Sequence, residues 1–165
     1  MVARFGSWVL LPAFLSFMPQ SGSWPRVNVP DPVGGMAIRQ ALDNASRWVE
    51  NARCRLVLTD FADGAGRPLA DRLETEAIDF QSYLRTIVFV DGSRQIRCAG
   101  GALAFTEPGS RVVHVCVDRL KETWSRDRKD TVASMIHEAL HTLGLGENPP
   151  SPKEITSRVL ARCAI

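Results

Sequence analysis

The stretch that decides the fold is HEALHTLGLGENPP, residues 137–150. Two of the chain's three histidines, His137 and His141, lie in it and are four residues apart. Residues four apart share one face of an α-helix, so both imidazoles can reach a single metal ion. Glu138 is rotated by about 100° from His137 on such a helix, which keeps its carboxylate near the ion without making it a ligand. The spacing therefore predicts a metal site with a neighbouring general base.

A catalytic zinc site takes three protein ligands and a water molecule, so the two histidines need a third partner. Gly144 follows the apolar stripe of the helix and allows the chain to reverse. Glu147 lies three residues further, where its carboxylate can return to the ion. Glu154 is the alternative, although the Ser-Pro-Lys-Glu pattern at residues 151–154 gives it a capping role; a water molecule or another residue is a third option. The predicted ligands of Zn²⁺ are thus the two histidines and Glu147, with Glu138 as the catalytic base.

Apolar periodicity and turn residues predict the elements around this motif. The motif helix is expected over residues 131–144 with Asp130 as its N-cap. The other expected elements, in chain order, are an amphipathic helix at 36–52, a strand at 54–61, a loop at 63–67, a helix at 68–84, a strand at 86–90, a pair of strands at 100–105 and 111–117, and a helix from 152 to about 162 that is capped by Ser151.

Outside the motif, the third histidine is His114 and the only tyrosine is Tyr83. His114 alternates with Val112 and Cys116 in a predicted strand, which favours a structural role. A role in stabilising an oxyanion is the alternative for His114. For Tyr83, too, a structural role is favoured.

Length and composition set the broad class of the protein. The chain has 165 residues, of which 45% are hydrophobic and 23% are charged, as in an ordinary globular protein with one domain. Its net charge of +2 argues against a dedicated nucleic-acid-binding protein, which usually carries a concentrated basic face. We therefore expect no nucleic-acid partner.

The first residues have the pattern of a secretory signal. Arg4 precedes an apolar run at residues 7–18, which is too short to span a bilayer. The predicted organisation is a signal peptide at 1–23, an extended leader at 24–35 and one domain at 36–165. We therefore expect a secreted, periplasmic or extracellular protein. Export would allow disulfides, and the even number of cysteines predicts two of them without choosing among three pairings. The cysteines are Cys54, Cys98, Cys116 and Cys163.

The segment HEALHTLGLGE resembles the metzincin zinc-peptidase motif H-E-x-x-H-x-x-G-x-x-H, with Glu147 in place of the last histidine. Upstream, GGALAFTEPGSRVVHVCVDRLKETW is similar to the matrixin-type stretch before the active-site helix, and IRQALDNASRWVENARCRLVLTDF is similar to the first helix and first strand of that domain. The resemblance implies a zincin-like α+β fold with a twisted mixed β-sheet, an active-site helix below a cleft and a C-terminal helix. It also implies that a peptide substrate lies along an edge strand, here residues 101–105.

Three features differ from the family pattern. Glu147 replaces a neutral histidine, which would leave a bound zinc ion less positive. No methionine follows the motif, because Met135 precedes His137, and no tyrosine follows it. Any group that stabilises an oxyanion therefore has to come from elsewhere.

The leading hypothesis is a secreted zinc metalloendopeptidase that hydrolyses peptide bonds, in which Glu138 deprotonates a zinc-bound water. Its partner would be a peptide or protein substrate. We expect a monomer without stable membrane association once the signal is removed. Two alternatives stay open: a secreted zinc-binding module without turnover, used for adhesion or partner recognition, and a small disulfide-stabilised domain in which H-E-x-x-H is incidental.

Overall fold

Four short strands form one mixed sheet within residues 25–164, the part of the chain that the computed structural model describes. The strands are β1 Arg26–Asn28, β2 Val88–Asp91, β3 Ala104–Phe105 and β4 Val112–Val115. Their order in the sheet is β1-β2-β4-β3; the first three are parallel, and β3 is antiparallel to β4. Residues 104–105 thus occupy an edge of the sheet, as expected for the segment 101–105.

Helices make up most of the rest of the described chain, and with the sheet they give an α+β fold. They are α1 Pro32–Glu50, α2 Ala52–Arg55, α3 Val57–Asp60, α4 Leu69–Glu76, α5 Phe80–Leu84, α6 Ile96–Ala99, α7 Val117–Arg126, α8 Arg128–Thr142 and α9 Pro152–Cys163. None of these helices, over residues 25–164, is both long enough and apolar enough to cross a membrane. The signal peptide predicted at 1–23 lies outside the described residues.

Helix α1 begins earlier than its apolar pattern suggested. The Asp31 side chain accepts hydrogen bonds from the backbone N–H groups of Val33 and Gly34, at 3.0 and 3.3 Å, and Pro32 takes the first helical position. The helix therefore starts four residues before the predicted boundary at 36. Strand β1 and the first turn of α1 both fall in the segment expected to be an extended leader.

The prediction of a strand at residues 54–61 is wrong, because this segment forms helices α2 and α3. The Asn51 side chain caps α2 by accepting from the backbone N–H of Arg53 at 2.8 Å. The apolar residues Cys54, Val57, Leu58 and Phe61 recur at intervals of three and four, which is helical periodicity. A short run rich in valine and leucine does not separate strand from buried helix. The first strand implied by the resemblance is therefore not formed by these residues.

The other predicted elements are present with shifted boundaries. The helix expected at 68–84 is divided into α4 and α5 by Ala77, whose φ of 53° ends the first helix. Residues 86–90 and the pair 100–105 with 111–117 form strands β2, β3 and β4 in shorter versions. The motif helix α8 starts one turn before residue 131, because Asp127 rather than Asp130 caps it, accepting from the N–H of Asp130 at 3.0 Å.

Two disulfides tie the chain together, as predicted from the even number of cysteines. Cys54–Cys163 joins α2 to the end of α9 across 109 residues. Cys98–Cys116 joins α6 to the residue that precedes α7 across 18 residues, and so encloses β3 and β4. The first bridge therefore anchors the C-terminal helix, and the second anchors the edge of the sheet.

We predict that the two bridges stabilise the fold unequally. In the chain-entropy model a bridge across 109 residues contributes roughly 5 kcal/mol and one across 18 residues about 3 kcal/mol. The double substitution Cys54→Ser/Cys163→Ser should therefore lower the free energy of unfolding more than Cys98→Ser/Cys116→Ser does. Urea unfolding of both variants under non-reducing conditions measures the difference, and equal or reversed losses would contradict the prediction.

Candidate metal centre

Helix α8 positions the two motif histidines below a cleft. The side chains of His137, Glu138 and His141 are all buried on a helix that is buried over most of its length. Gly144 then takes a φ of 109°, and a Cβ at this position would come within 3.2 Å of the Cβ of Asp63. This left-handed conformation favours glycine and reverses the chain just after the helix. The reversal brings the next residues back over the helix.

Three predicted ligands converge after this reversal. The Nε2 atoms of His137 and His141 are 2.9 Å apart. Oε1 of Glu147 lies 3.2 Å from Nε2 of His141 and 3.7 Å from Nε2 of His137. The three side chains form a group that could hold a metal ion. Their convergence was the geometric condition on which the sequence hypothesis depended.

The separations fit a tetrahedral ion. Nitrogen ligands bind zinc at about 2.0–2.1 Å, so two of them on a tetrahedral centre lie roughly 3.3 Å apart. The observed distances of 2.9, 3.2 and 3.7 Å lie on both sides of that value. The two imidazole rings are tilted by 59° with respect to each other, so that their Nε2 atoms approach one point. The donor set of two imidazoles and one carboxylate is also one that catalytic zinc sites use.

Hydrogen bonds on the opposite ring nitrogens decide which tautomers are available. Nδ1 of His141 lies 2.7 Å from the carbonyl oxygen of Leu145, which can only accept, so this nitrogen carries the proton. Nε2 of His141 therefore presents a lone pair. Nδ1 of His137 lies 2.9 Å from Oγ1 of Thr156 on α9, and a hydroxyl can either donate or accept. His137 can thus donate from Nε2 to His141 without a metal, or free Nε2 for a metal by donating from Nδ1 to Thr156.

Burial keeps the first histidine neutral. Desolvation, with a smaller electrostatic contribution from the neighbouring His141, lowers the pKa of His137 to about 3. The imidazole is therefore uncharged at neutral pH. Metal binding requires the neutral form of histidine, so the ring needs only the change of tautomer that moves its proton from Nε2 to Nδ1.

Glu138 is a buried carboxyl without a hydrogen-bonding partner for Oε2 among the described residues. Desolvation raises its pKa to about 8; the negative charge of Glu147 raises the pKa as well, and Arg97 lowers it. Without a cation, the carboxyl is therefore largely protonated at neutral pH. A divalent cation held by the neighbouring ligands would favour the ionised form, in which the group can act as a base.

A cleft of about 630 Å³ gives access to this centre. Helix α8 contributes His137, Glu138 and His141 to its lining, and the edge strand β3 and the loop that follows it form one wall. That loop is fixed to the helix because the N–H of Gly109 donates to the carbonyl oxygen of His141 at 2.8 Å. The start of α9 forms another part of the lining with Pro152 and Thr156.

The other residues considered for the site lie away from the metal-ligating group of His137, His141 and Glu147. Glu154 is exposed at the start of α9, where its N–H donates to the Ser151 hydroxyl at 3.3 Å, and it does not join the metal-ligating group. His114 stacks on Phe105 with ring centroids 5.1 Å apart and does not line the cleft. Tyr83 is buried, and its hydroxyl donates to the carbonyl oxygen of Thr142 at 2.9 Å. The structural interpretation of His114 and Tyr83 agrees with these contacts.

Sequence reasoning missed two residues of the site. Thr156 lies on a separate helix, and nothing in the local sequence connects it to His137. Arg97 lines the cleft from α6, a helix of four residues without a periodic pattern. The adjacent Cys98 was the available sequence signal for Arg97, because a disulfide at residue 98 fixes the backbone of the residues beside it.

We predict that Thr156 supports metal binding through His137. Thr156→Val removes the oxygen that accepts the Nδ1 proton when Nε2 binds the ion, whereas Thr156→Ser keeps it. Loss of such a partner typically costs tenfold to a hundredfold in metal affinity, and we expect a loss of about that size for the valine variant only. Competition with a zinc chelator of known affinity measures it. A valine variant that binds zinc like the serine variant would contradict the prediction.

We also predict a pH-dependent gain in stability from Glu138→Gln in the metal-free protein. The pKa of this carboxyl is about 8 in the folded chain and 4.5 for an unperturbed glutamate, so over that interval the folded state holds a proton that the unfolded state has released. Wild-type stability therefore falls as pH rises through the interval, and glutamine removes this loss. Urea unfolding with excess chelator should show the variant's advantage growing with pH. The exposed Glu154→Gln is the control, and a constant difference between wild type and Glu138→Gln would contradict the prediction.

Comparison with known proteins assigns the chain to no family. No family model, curated protein or solved structure matches this chain. The likeness to the metzincin motif is therefore a resemblance of short segments. Functional interpretation rests on the convergence of His137, His141 and Glu147 beside Glu138 at the base of a cleft.

Proposed function

We propose that this protein is an exported zinc-dependent metallopeptidase with a zincin-like domain. The single observation that carries the proposal is the approach of two imidazole nitrogens and the Glu147 carboxylate within 3.7 Å of one another, in a cleft that Glu138 also lines. A zinc ion bound there would supply Lewis acidity, which activates a water molecule and polarises a carbonyl group.

Glu138 is the proposed general base. It follows His137 on α8, so its carboxyl lies beside the ligands without belonging to the group that could hold the ion. A carboxylate in that place can take the proton of the attacking water and pass it to the leaving amine. Its burial favours this role, because a base with a raised pKa binds the proton more strongly.

The edge strand β3 is the proposed binding site for the substrate backbone. One side of β3 pairs with β4, and its residues Ala104 and Phe105 line the cleft. An edge strand can pair with an extended peptide through backbone hydrogen bonds, largely without regard to side chains. A peptide held in this way would pass above the motif helix, which is the arrangement that the resemblance to metzincins implies.

The proposed location outside the cytoplasm is supported by the cysteines. Both disulfides are formed between residues that are buried, and such bonds persist in oxidising compartments. The apolar run at residues 7–18 is the proposed export signal.

A zinc-binding module without turnover is the second candidate. One observation favours it: the only tyrosine of the chain, Tyr83, is buried with its hydroxyl bound to Thr142 and does not line the cleft. No tyrosine hydroxyl among the described residues is therefore placed to stabilise an oxyanion. In a peptidase the metal ion, the backbone or another side chain of the cleft would have to supply this stabilisation.

We predict that Glu138→Gln separates metal binding from hydrolysis. The purified protein should hold about one zinc ion per chain. The glutamine variant should retain the metal, because Glu138 is not a ligand, and should lose at least about a hundredfold in peptide hydrolysis, because the general base is removed. Metal analysis and a pool of fluorogenic peptides measure the two properties.

Variants of the two other glutamates are the matched controls. Glu147→Ala should release zinc at lower chelator concentrations than Glu154→Ala, whose exposed side chain lies outside the ligand group. Peptide hydrolysis that persists in the Glu138→Gln variant would contradict the proposed role of Glu138 as general base. Zinc binding without hydrolysis by the wild type would favour the second candidate.

A further inference from the structure

Arg97 is the one arginine or lysine among the described residues that line the cleft. The acidic residues of the same lining are Glu107, Glu138 and Glu147. A negatively charged substrate group would therefore be repelled by the ionised carboxylates and attracted by the guanidinium and by any metal ion held at the site. The position of this one cation decides where an acidic group could lie.

The backbone of Arg97 is held in place from two sides. The adjacent Cys98 is bonded to Cys116, and the carbonyl oxygen of Arg97 accepts from the N–H of Ala102 at 3.2 Å. Its side chain is also supported, since the guanidinium carbon lies 5.4 Å from the centroid of the Phe105 ring, which in turn stacks on His114. The guanidinium thus sits over a residue of the edge strand β3, next to the proposed path of the substrate.

The guanidinium keeps donors for a ligand. Besides the contact with Phe105, it forms an ion pair with Glu107, 3.1 Å from Nη2 to Oε1, and the two side chains are 53% and 74% exposed. Water screens a pair as exposed as this one, so it is weak and easily exchanged. A guanidinium has five N–H donors in a planar fork that matches a carboxylate.

We propose that Arg97 binds a carboxylate of the substrate, so that the enzyme prefers acidic peptides. This inference rests on the proposed peptidase function and specifies its substrate class. The carboxylate displaces Glu107 from the guanidinium and lies against the Phe105 face of the cleft. It belongs either to the C-terminus of the substrate or to an aspartate or glutamate side chain, and the two sources share the same chemistry.

The test measures binding apart from turnover. Zinc-loaded protein carrying Glu138→Gln is titrated with three fluorescent alanine-leucine hexapeptides: one amidated, one with a free C-terminal carboxylate, and one amidated with an internal glutamate. We expect one acidic form to bind about twofold to fivefold more tightly than the neutral form, the range for an ion pair at a guanidinium as exposed as this one. The form that binds more tightly identifies the source of the carboxylate.

Substitutions then assign the preference. Arg97→Gln should abolish it, Arg97→Lys should keep part of it, and Glu107→Gln should increase it by removing the competing carboxylate. Arg94→Gln is the matched control, because Arg94 is an exposed arginine of the turn that precedes α6 and does not line the cleft. In the enzyme with Glu138 intact, Arg97→Gln should raise KM for the acidic peptide more than KM for the neutral peptide, because the effect of Arg97 on Glu138 is common to both peptides.

The results also separate this inference from the proposed function. Equal or undetectable binding of the neutral and acidic peptides, or a preference that persists in Arg97→Gln, overturns the inference even where hydrolysis is confirmed. A preference that Arg97→Gln abolishes in a protein without zinc-dependent hydrolysis supports the carboxylate site and rejects the peptidase function.

Discussion

The structure around the motif depends on one electrostatic constraint, the crowding of lone pairs at the base of the cleft. Nε2 of His141 presents a lone pair because its Nδ1 proton is committed to a carbonyl oxygen, and Nε2 of His137 lies only 2.9 Å away. Glu147 adds a carboxylate oxygen at 3.2 Å. Such a group needs a hydrogen atom or a cation between its acceptors, either the Nε2 proton that neutral His137 donates to His141 or a metal ion. The surrounding fold allows both states, since the Thr156 hydroxyl can reverse its hydrogen bond.

Helix α8 shows what this arrangement requires of the fold. Its polar residues His137, Glu138 and His141 are nearly as buried as the core residues beside them. A buried polar group without a hydrogen-bonding partner is destabilising. Here Nδ1 of His137 is paired with the Thr156 hydroxyl, and Nδ1 of His141 is paired with the carbonyl oxygen of Leu145. The neighbouring α9 that brings Thr156 is fixed by a disulfide at its far end. The C-terminal helix therefore contributes to the candidate site as well as to the core.

Much of the candidate site could be predicted from the sequence because its geometry is local. His137 and His141 are related by one helical turn, and Gly144 marks the reversal that returns Glu147 to them. The capping pattern at 151–154 predicted that Glu154 lies at the start of a helix, where its N–H donates to the Ser151 hydroxyl. Thr156 and Arg97 could not be predicted in the same way, because their positions depend on how α9 and α6 pack against the motif helix.

The fold was predicted less completely for a related reason. In residues 54–61 the apolar side chains fit a strand by composition and a helix by spacing, and the capping by Asn51 favours the helix. In α8 the start depends on whether Asp127 or Asp130 caps the helix, and aspartate is a good cap at either position. Local sequence offers such alternatives, and the tertiary contacts select among them.

Glu147, which stands where the metzincin motif has its last histidine, links the candidate ligand set to Glu138, the proposed base. A neutral imidazole at residue 147 would leave the charge of a bound ion undiminished, whereas Glu147 cancels part of it and also raises the pKa of Glu138. Less positive charge makes the ion a weaker Lewis acid, and a higher pKa makes the buried carboxylate a stronger base. The two effects oppose each other in the activation of water. A site built with Glu147 would thus rely more on Glu138 and less on the metal ion for removal of the proton than a site with three histidines.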